Sequence, residues 1–211
     1  MRVLFLISVL LISLGTAAAQ ERPDLLRRHI PSIKLGSKTI SEVLTALAED
    51  YDVPIANEIS NETTKDAASS SVSELKNAQV EEILTTLFAN RSEYRWQLTD
   101  SIIRVSSLSE SEPLFDTVIT DFCAKDQTVS EIKKALAERP EVQSVLSETD
   151  REFQEFTILP GGNAEPSGKY TFALNNATLR QILNRLILQT KGHYWTLVKL
   201  GNNKQVWIIV R

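Results

Sequence analysis

"KNAQVEEILTTLFANRSEYRW", residues 76–96, returns about a hundred residues later as "NNATLRQILNRLILQTKGHYW", residues 175–195. The two runs align without a gap and share Asn77 with Asn176, Ile83 with Ile182, Leu84 with Leu183, Leu87 with Leu186 and Trp96 with Trp195. Upstream, "TISEVLTALAEDYDV" from Thr39 matches "TVSEIKKALAERPEV" from Thr128, again without a gap. The duplication therefore covers whole units rather than one helix. The first unit spans 31–107 and the second 115–211, with a polar linker at 108–114 and a lead at 20–30. The second carries about ten extra residues, an inserted loop near 151–168 that includes "ILPGGNAEPSG", rich in the Pro, Gly and Asn of surface turns.

Within each unit the apolar period alternates between helix and strand. Ile40, Val43, Leu44 and Leu47 recur at helical spacing. So do Val80, Ile83, Leu84, Leu87 and Phe88, with Leu179, Ile182, Leu183, Leu186 and Ile187 as their counterparts. Thr39 with Glu42, Thr128 with Glu131, and Thr178 with Gln181 have the spacing at which a hydroxyl and a returning side chain satisfy orphan amides, so these threonines predict helix starts. Ile33 and Leu35, Val53 to Ile55, Tyr94, Trp96 and Leu98, and Ile102 to Val105 read as strands. The chain closes with a turn rich in Gly and Asn, "KLGNNKQ", and then "VWIIVR". The expected fold is α+β: two tandem βαββαβ(β) modules, each with two helices packed on small mixed sheets.

The stretch "IKLGSKTISEVLTALAEDYDVPI", followed by "VSELKNAQVEEILTTLFANRSEYRWQLTDSIIRV", resembles the secretin and TonB short N-terminal domain. Val43, Ala46, Leu47 and Ala48 occupy that family's first helix, and Val80, Ile83, Leu84 and Leu87 its second. The later unit, with Val129, Ile132, Leu136 and Ala137, resembles it more distantly. Tyr51-Asp52 and Pro140-Glu141 stand where the family has a glycine after the first helix. The resemblance implies a periplasmic module whose business is contact with other proteins.

Compartment and charge point the same way. Arg2, the apolar run Val3 to Leu14 and the small residues ending Ala17-Ala18-Ala19 predict a secretory signal peptide, 1–19, cleaved before Gln20. No later segment is apolar enough to span a bilayer. The formal charge is −4, and without Arg2 it becomes −5, from 22 basic and 27 acidic residues. With basic residues scattered among acidic ones, nucleic acid and an anionic membrane surface are disfavoured as partners. Three N-x-S/T sequons begin at Asn61, Asn90 and Asn176 and matter only if the source glycosylates secreted proteins.

The chemistry-bearing residues are few. Cys123 is the single cysteine, so no internal disulfide forms. Exposed, its thiol would allow an intermolecular disulfide and a homodimer; buried, it would be a small core hydrophobe. His29 and His193 lack metal-ligand spacing, no serine lies in a nucleophile elbow, and "PGGN" lacks the lysine and helix of a phosphate loop. No catalytic residue, cofactor or metal is expected. Trp96 and Trp195 read as shared core, whereas Trp207 interrupts the apolar run of a strand expected at a sheet edge.

The function expected from these features is a non-catalytic secreted or periplasmic protein-interaction module, an accessory or adaptor of a secretin- or TonB-type envelope system. Its expected contacts are the helix face with Arg180, Asn184 and Arg185, or the last strand with Val206, Trp207 and Ile209. The alternatives are a soluble small-molecule or glycan binder using the inter-unit cleft or the loop at Gly161 and Gly162, and an enzyme built on His193 or Cys123.

Overall fold

Three helices begin on the chemistry read from the sequence. The amides of Thr39 and Thr128 donate to the carboxylates of Glu42 (2.6 Å) and Glu131 (2.8 Å), whose own amides donate back to the threonine hydroxyls at 3.2 Å. Thr178 and Gln181 make the same reciprocal pair without a charge, at 2.9 and 3.2 Å. Each pair satisfies two of the first-turn donors that a helix cannot satisfy itself. The computed structural model describes residues 24–36, 38–59, 72–108, 112–153, 166–190, 194–200 and 204–211. The expected signal peptide, Asn61, Gly161, Gly162 and His193 lie outside them.

The fold is α+β. The first half runs α1 (Asp24–Arg27), β1 (His29–Lys34), α2 (Ile40–Tyr51), β2 (Ile55–Asn57), β3 (Glu74–Gln79), α3 (Val80–Phe88), β4 (Tyr94–Thr99) and β5 (Ile102–Ser107). The second runs α4 (Pro113–Asp116), β6 (Val118–Gln127), α5 (Val129–Ala137), α6 (Pro140–Glu148), β7 (Glu152–Phe153), β8 (Tyr170–Thr178), α7 (Leu179–Thr190), β9 (Tyr194–Leu200) and β10 (Gln205–Val210). The order of elements is the same except for α6. The pairings correspond as well: β1 with β3 and β6 with β8 are antiparallel ribbons, β4–β5 and β9–β10 are antiparallel hairpins, and β2 and β7 lie parallel to β5 and β10.

Two expectations are corrected here. The second half has a further nine-residue helix, α6, beyond the two helices expected of each module, because Pro140 suits the first turn of a helix and Val142 and Leu146 form a buried stripe. The halves also do not keep separate small sheets. The parallel pairing of β2 with β9 (Ile55↔Tyr194, Ala56↔Trp195, Asn57↔Thr196) fuses them into one six-stranded sheet, β4-β5-β2-β9-β10-β7.

Strand direction sets where the two cores sit. The order of hairpin, then short parallel strand is kept across the sheet while every direction reverses from one half to the other. The halves are therefore related by a half-turn about an axis lying across the strands, and they present opposite faces. Ile55, Ile103 and Val105 pack with α2 and α3 on one face. Ala56, Trp195, Leu197, Val206, Ile208 and Val210 pack with α4, α5, α6 and α7 on the other. Tyr194, although on β9, belongs to the first core.

The asparagines shared by the two runs have a backbone reason. Asn77 and Asn176 both adopt the left-handed conformation, φ 49° in each case, which asparagine tolerates better than most residues with a Cβ. Each interrupts its ribbon opposite one residue. In the first half that residue is Pro31, which has no amide to leave unpaired. In the second it is Thr120, whose amide lies 3.4 Å from Glu141 Oε1. Asp52, where the resembled family has glycine, takes φ 53° and caps α2.

Candidate interaction edge and the joint between the halves

The joint is built from charge buried beside a backbone ladder. Glu58 follows β2, and its carboxylate, only 4% exposed, meets Arg104 of β5 at 2.9 and 2.7 Å and Arg180 of α7 at 2.5 and 3.3 Å. Arg180 also reaches Asp116 at 2.5 Å and lies over the Phe115 ring, 5.7 Å from its centroid. Burial works against the Arg180 guanidinium, yet its hydrogen bonds to Glu58 and Asp116 prevail and hold its pKa above the usual arginine value. Beside this cluster Asn57 donates to the Tyr194 hydroxyl at 2.9 Å, and its carbonyl oxygen accepts from the Ile59 amide at 3.2 Å. A second buried carboxylate, Glu112, pairs with Arg151 at 2.7 Å and Lys199 at 3.0 Å, fixing the entry to the second half.

These placements revise the expected contact residues. Arg180 is engaged between the halves, bonded to Glu58 and Asp116. Asn184 is 6% exposed, and its side-chain oxygen accepts a hydrogen bond from Trp195 Nε1 at 2.9 Å, which makes it a core polar group. Arg185, one residue on, is exposed. Val206 points into the second core, whereas Trp207 and Ile209 alternate to the opposite face and are half-buried. The last strand pairs with β9 along its length and with β7 only at Gln205 and Val206, so beyond Val206 its far side meets no other strand among the described residues. Trp195 is fully buried 4.8 Å from Phe115, while Trp96 is only partly covered by the first core. The equivalent tryptophans therefore do different jobs.

Cys123 is exposed on β6, opposite Ala173 of β8. His29 opens β1 with its Nδ1 3.1 Å from the Asn77 carbonyl. Among the described residues no group of three His, Cys, Asp or Glu side chains could hold a metal ion. A polar cleft of about 480 Å³ lies between α6 and the start of β10, lined by Gln143, Ser147, Asp150, Arg151, Glu152 and Lys204. Asp150 pairs there with Lys204 at 2.6 Å, and Arg151 with Glu112 at 2.7 Å. No described helix is long and apolar enough to cross a membrane.

The open edge of the sheet is β4. Its six residues pair with β5 alone, through a two-residue turn in which Asp100 (φ 53°) and Ser101 (φ 64°) both take positive φ. In a hairpin of that type Thr99 and Ile102 exchange hydrogen bonds, which fixes the alternation of the strand. Arg95, Gln97 and Thr99 turn their backbone groups inward to β5. Tyr94, Trp96 and Leu98 turn theirs outward. The Tyr94 amide is taken by the Arg91 carbonyl at 3.1 Å, so the outward set is the Tyr94 carbonyl and the amide and carbonyl of both Trp96 and Leu98.

Other edges carry devices that blunt them. The left-handed Asn77 and Asn176 break β3 and β8, Arg139 donates to the Asp121 carbonyl on β6 at 2.7 Å, Tyr51 bonds the Ser32 carbonyl on β1, and β7 has two residues. No family model, curated protein or solved structure matches this chain.

Sequence reasoning missed Glu58, Tyr194, Asp116 and Arg104, and a signal for the joint was present. In the aligned runs Arg180 stands where the first has Glu81, and Tyr194 where it has Arg95. A charge reversal and an Arg-to-Tyr change in matched stretches mark positions that one half uses and the other does not.

Proposed function

We propose that this chain is a non-catalytic interaction module of the secreted or periplasmic compartment, and that it binds protein partners by strand addition along β4. One observation carries the reading: the six-stranded sheet ends in an uninterrupted six-residue strand whose outward backbone groups meet no other strand among the described residues. An added strand would take its attraction from those groups and its selectivity from the Tyr94, Trp96 and Leu98 side chains. The resemblance to the secretin and TonB short N-terminal domain supports an envelope setting, as does the expected signal peptide. In the polar cleft Asp150, Lys204 and Arg151 already hold partners within the chain, which gives less support to a small-molecule or glycan binder.

The test is in-cell crosslinking from a photoreactive residue at the exposed position Gln97, with the exposed face of β6 at Lys125 as control. The reading expects protein adducts from position 97 that weaken in Leu98→Pro and persist in Leu98→Ala. Proline removes an outward amide that β5 does not use, and alanine keeps it. Equal adducts from positions 97 and 125, or none from 97, would contradict it.

A further inference from the structure

We propose that a second copy of this chain docks antiparallel along β4, with Trp96 of each copy facing the other across a twofold axis. This inference rests on the reading of β4 as the working edge and names its partner. The outward backbone groups are self-complementary when Trp96 lies at the centre. With Trp96 opposite Trp96, the two tryptophan residues exchange a pair of amide-to-carbonyl bonds, and each Leu98 amide donates to the other copy's Tyr94 carbonyl. All the outward groups except the Leu98 carbonyls are then used, and the Tyr94 amide, already bonded to Arg91, is not needed.

Side chains select the same register. On the face of the first core, Tyr94 sits opposite Leu98 and Trp96 opposite its twin, so three half-buried apolar side chains per copy cover one another. On the other face Arg95 meets Gln97, and Glu93 meets Thr99. No like charges oppose. Sliding the copies by two residues in one direction centres the pair on Arg95, sets two guanidinium groups against each other and leaves the Leu98 groups unmatched; sliding the other way centres it on Gln97 and keeps as many backbone bonds, but sets Tyr94 against Asp100 of the turn and so leaves one of the three apolar side chains uncovered. A twofold contact of this kind closes on itself, so it yields a dimer and no longer array.

Sedimentation velocity on the chain expressed from Gln20, carrying Cys123→Ala to exclude disulfide dimers, tests the association from about 1 to about 300 µM, the range of small interfaces. Reversible dimerisation is expected, weakened about tenfold more by Leu98→Pro than by Leu98→Ala, since the proline removes both Leu98 bonds. Register is tested by mixing Arg95→Cys chains with Gln97→Cys chains in the same background under mild oxidant. Disulfide dimers should form several-fold faster in the mixture than in either chain alone, because positions 95 and 97 oppose each other and neither opposes itself. A monomer throughout the range, or crosslinking as fast in the unmixed chains, would overturn the dimer. A monomer whose position 97 still captures another protein in cells overturns the dimer and leaves the edge reading standing.

Discussion

At the scale of single residues, the pairs shared by the repeated runs separate into backbone and packing roles. The left-handed Asn77 and Asn176 should accept glycine with little change, whereas Asn77→Ala or Asn176→Ala should cost about 1–2 kcal/mol in urea unfolding, the penalty of a Cβ in that conformation. The bulk of Trp195 is matched to Phe115 and its Nε1 to Asn184, so Trp195→Phe should cost about 1–3 kcal/mol by leaving the buried Asn184 oxygen unbonded. Glu58 matters more. It neutralises two guanidinium groups in a nearly dry place, and Glu58→Gln should destabilise by about 3–5 kcal/mol. Removing the exposed Glu74–Lys76 pair with Lys76→Ala should change stability by less than about 1 kcal/mol. The shared apolar positions and threonines were legible as core and caps because periodicity and spacing encode them. Glu58 was not, since its partners are 46 and 122 residues away and no local pattern specifies such a contact.

Among the elements, the caps give a pH signature with an internal control. Hydrogen bonds from the Thr39 and Thr128 amides hold the Glu42 and Glu131 carboxyls below the ordinary glutamate value. A carboxyl whose folded pKa is depressed contributes stability that is complete above its unfolded value and is lost as pH falls through the folded one. Acid should therefore weaken α2 and α5, and Glu42→Gln or Glu131→Gln, which keeps an acceptor for the amide but removes the titrating group, should flatten that part of the stability profile. Thr39→Ala or Thr128→Ala removes the hydroxyl cap and costs about 1 kcal/mol near neutrality. The box at Thr178 uses Gln181, which does not titrate, so Thr178→Ala should lower stability without changing the slope. Helices α2, α3, α5 and α7 were readable from their apolar stripes. Helix α6 was not, because its buried stripe is only Val142 and Leu146, too short a pattern to mark a helix. The strand β4 was visible as the alternation Tyr94, Trp96, Leu98, but its place at the sheet's end was not, because strand order follows from pairing between the halves.

For the whole molecule, the decisive event is the pairing of β2 with β9. It places the first core on one face of a shared sheet and the second core on the other, and leaves β4 as the long open terminus. A recurring pattern can be read from a sequence, whereas the way the two halves join cannot, since β2 is three residues long and its partner lies beyond a hundred residues of intervening chain. Neither half is expected to unfold alone, because Tyr194 of the second half completes the first core and Ala56 and Ile102 of the first complete the second. Native-state hydrogen exchange tests this joint most directly. The account predicts that the amides of β2 and β9 exchange only with global unfolding, while those of Trp96 and Leu98 exchange orders of magnitude faster in dilute solution. Amides in β2 that exchange as fast as those of Trp96 and Leu98 would contradict it, and with it the shared sheet.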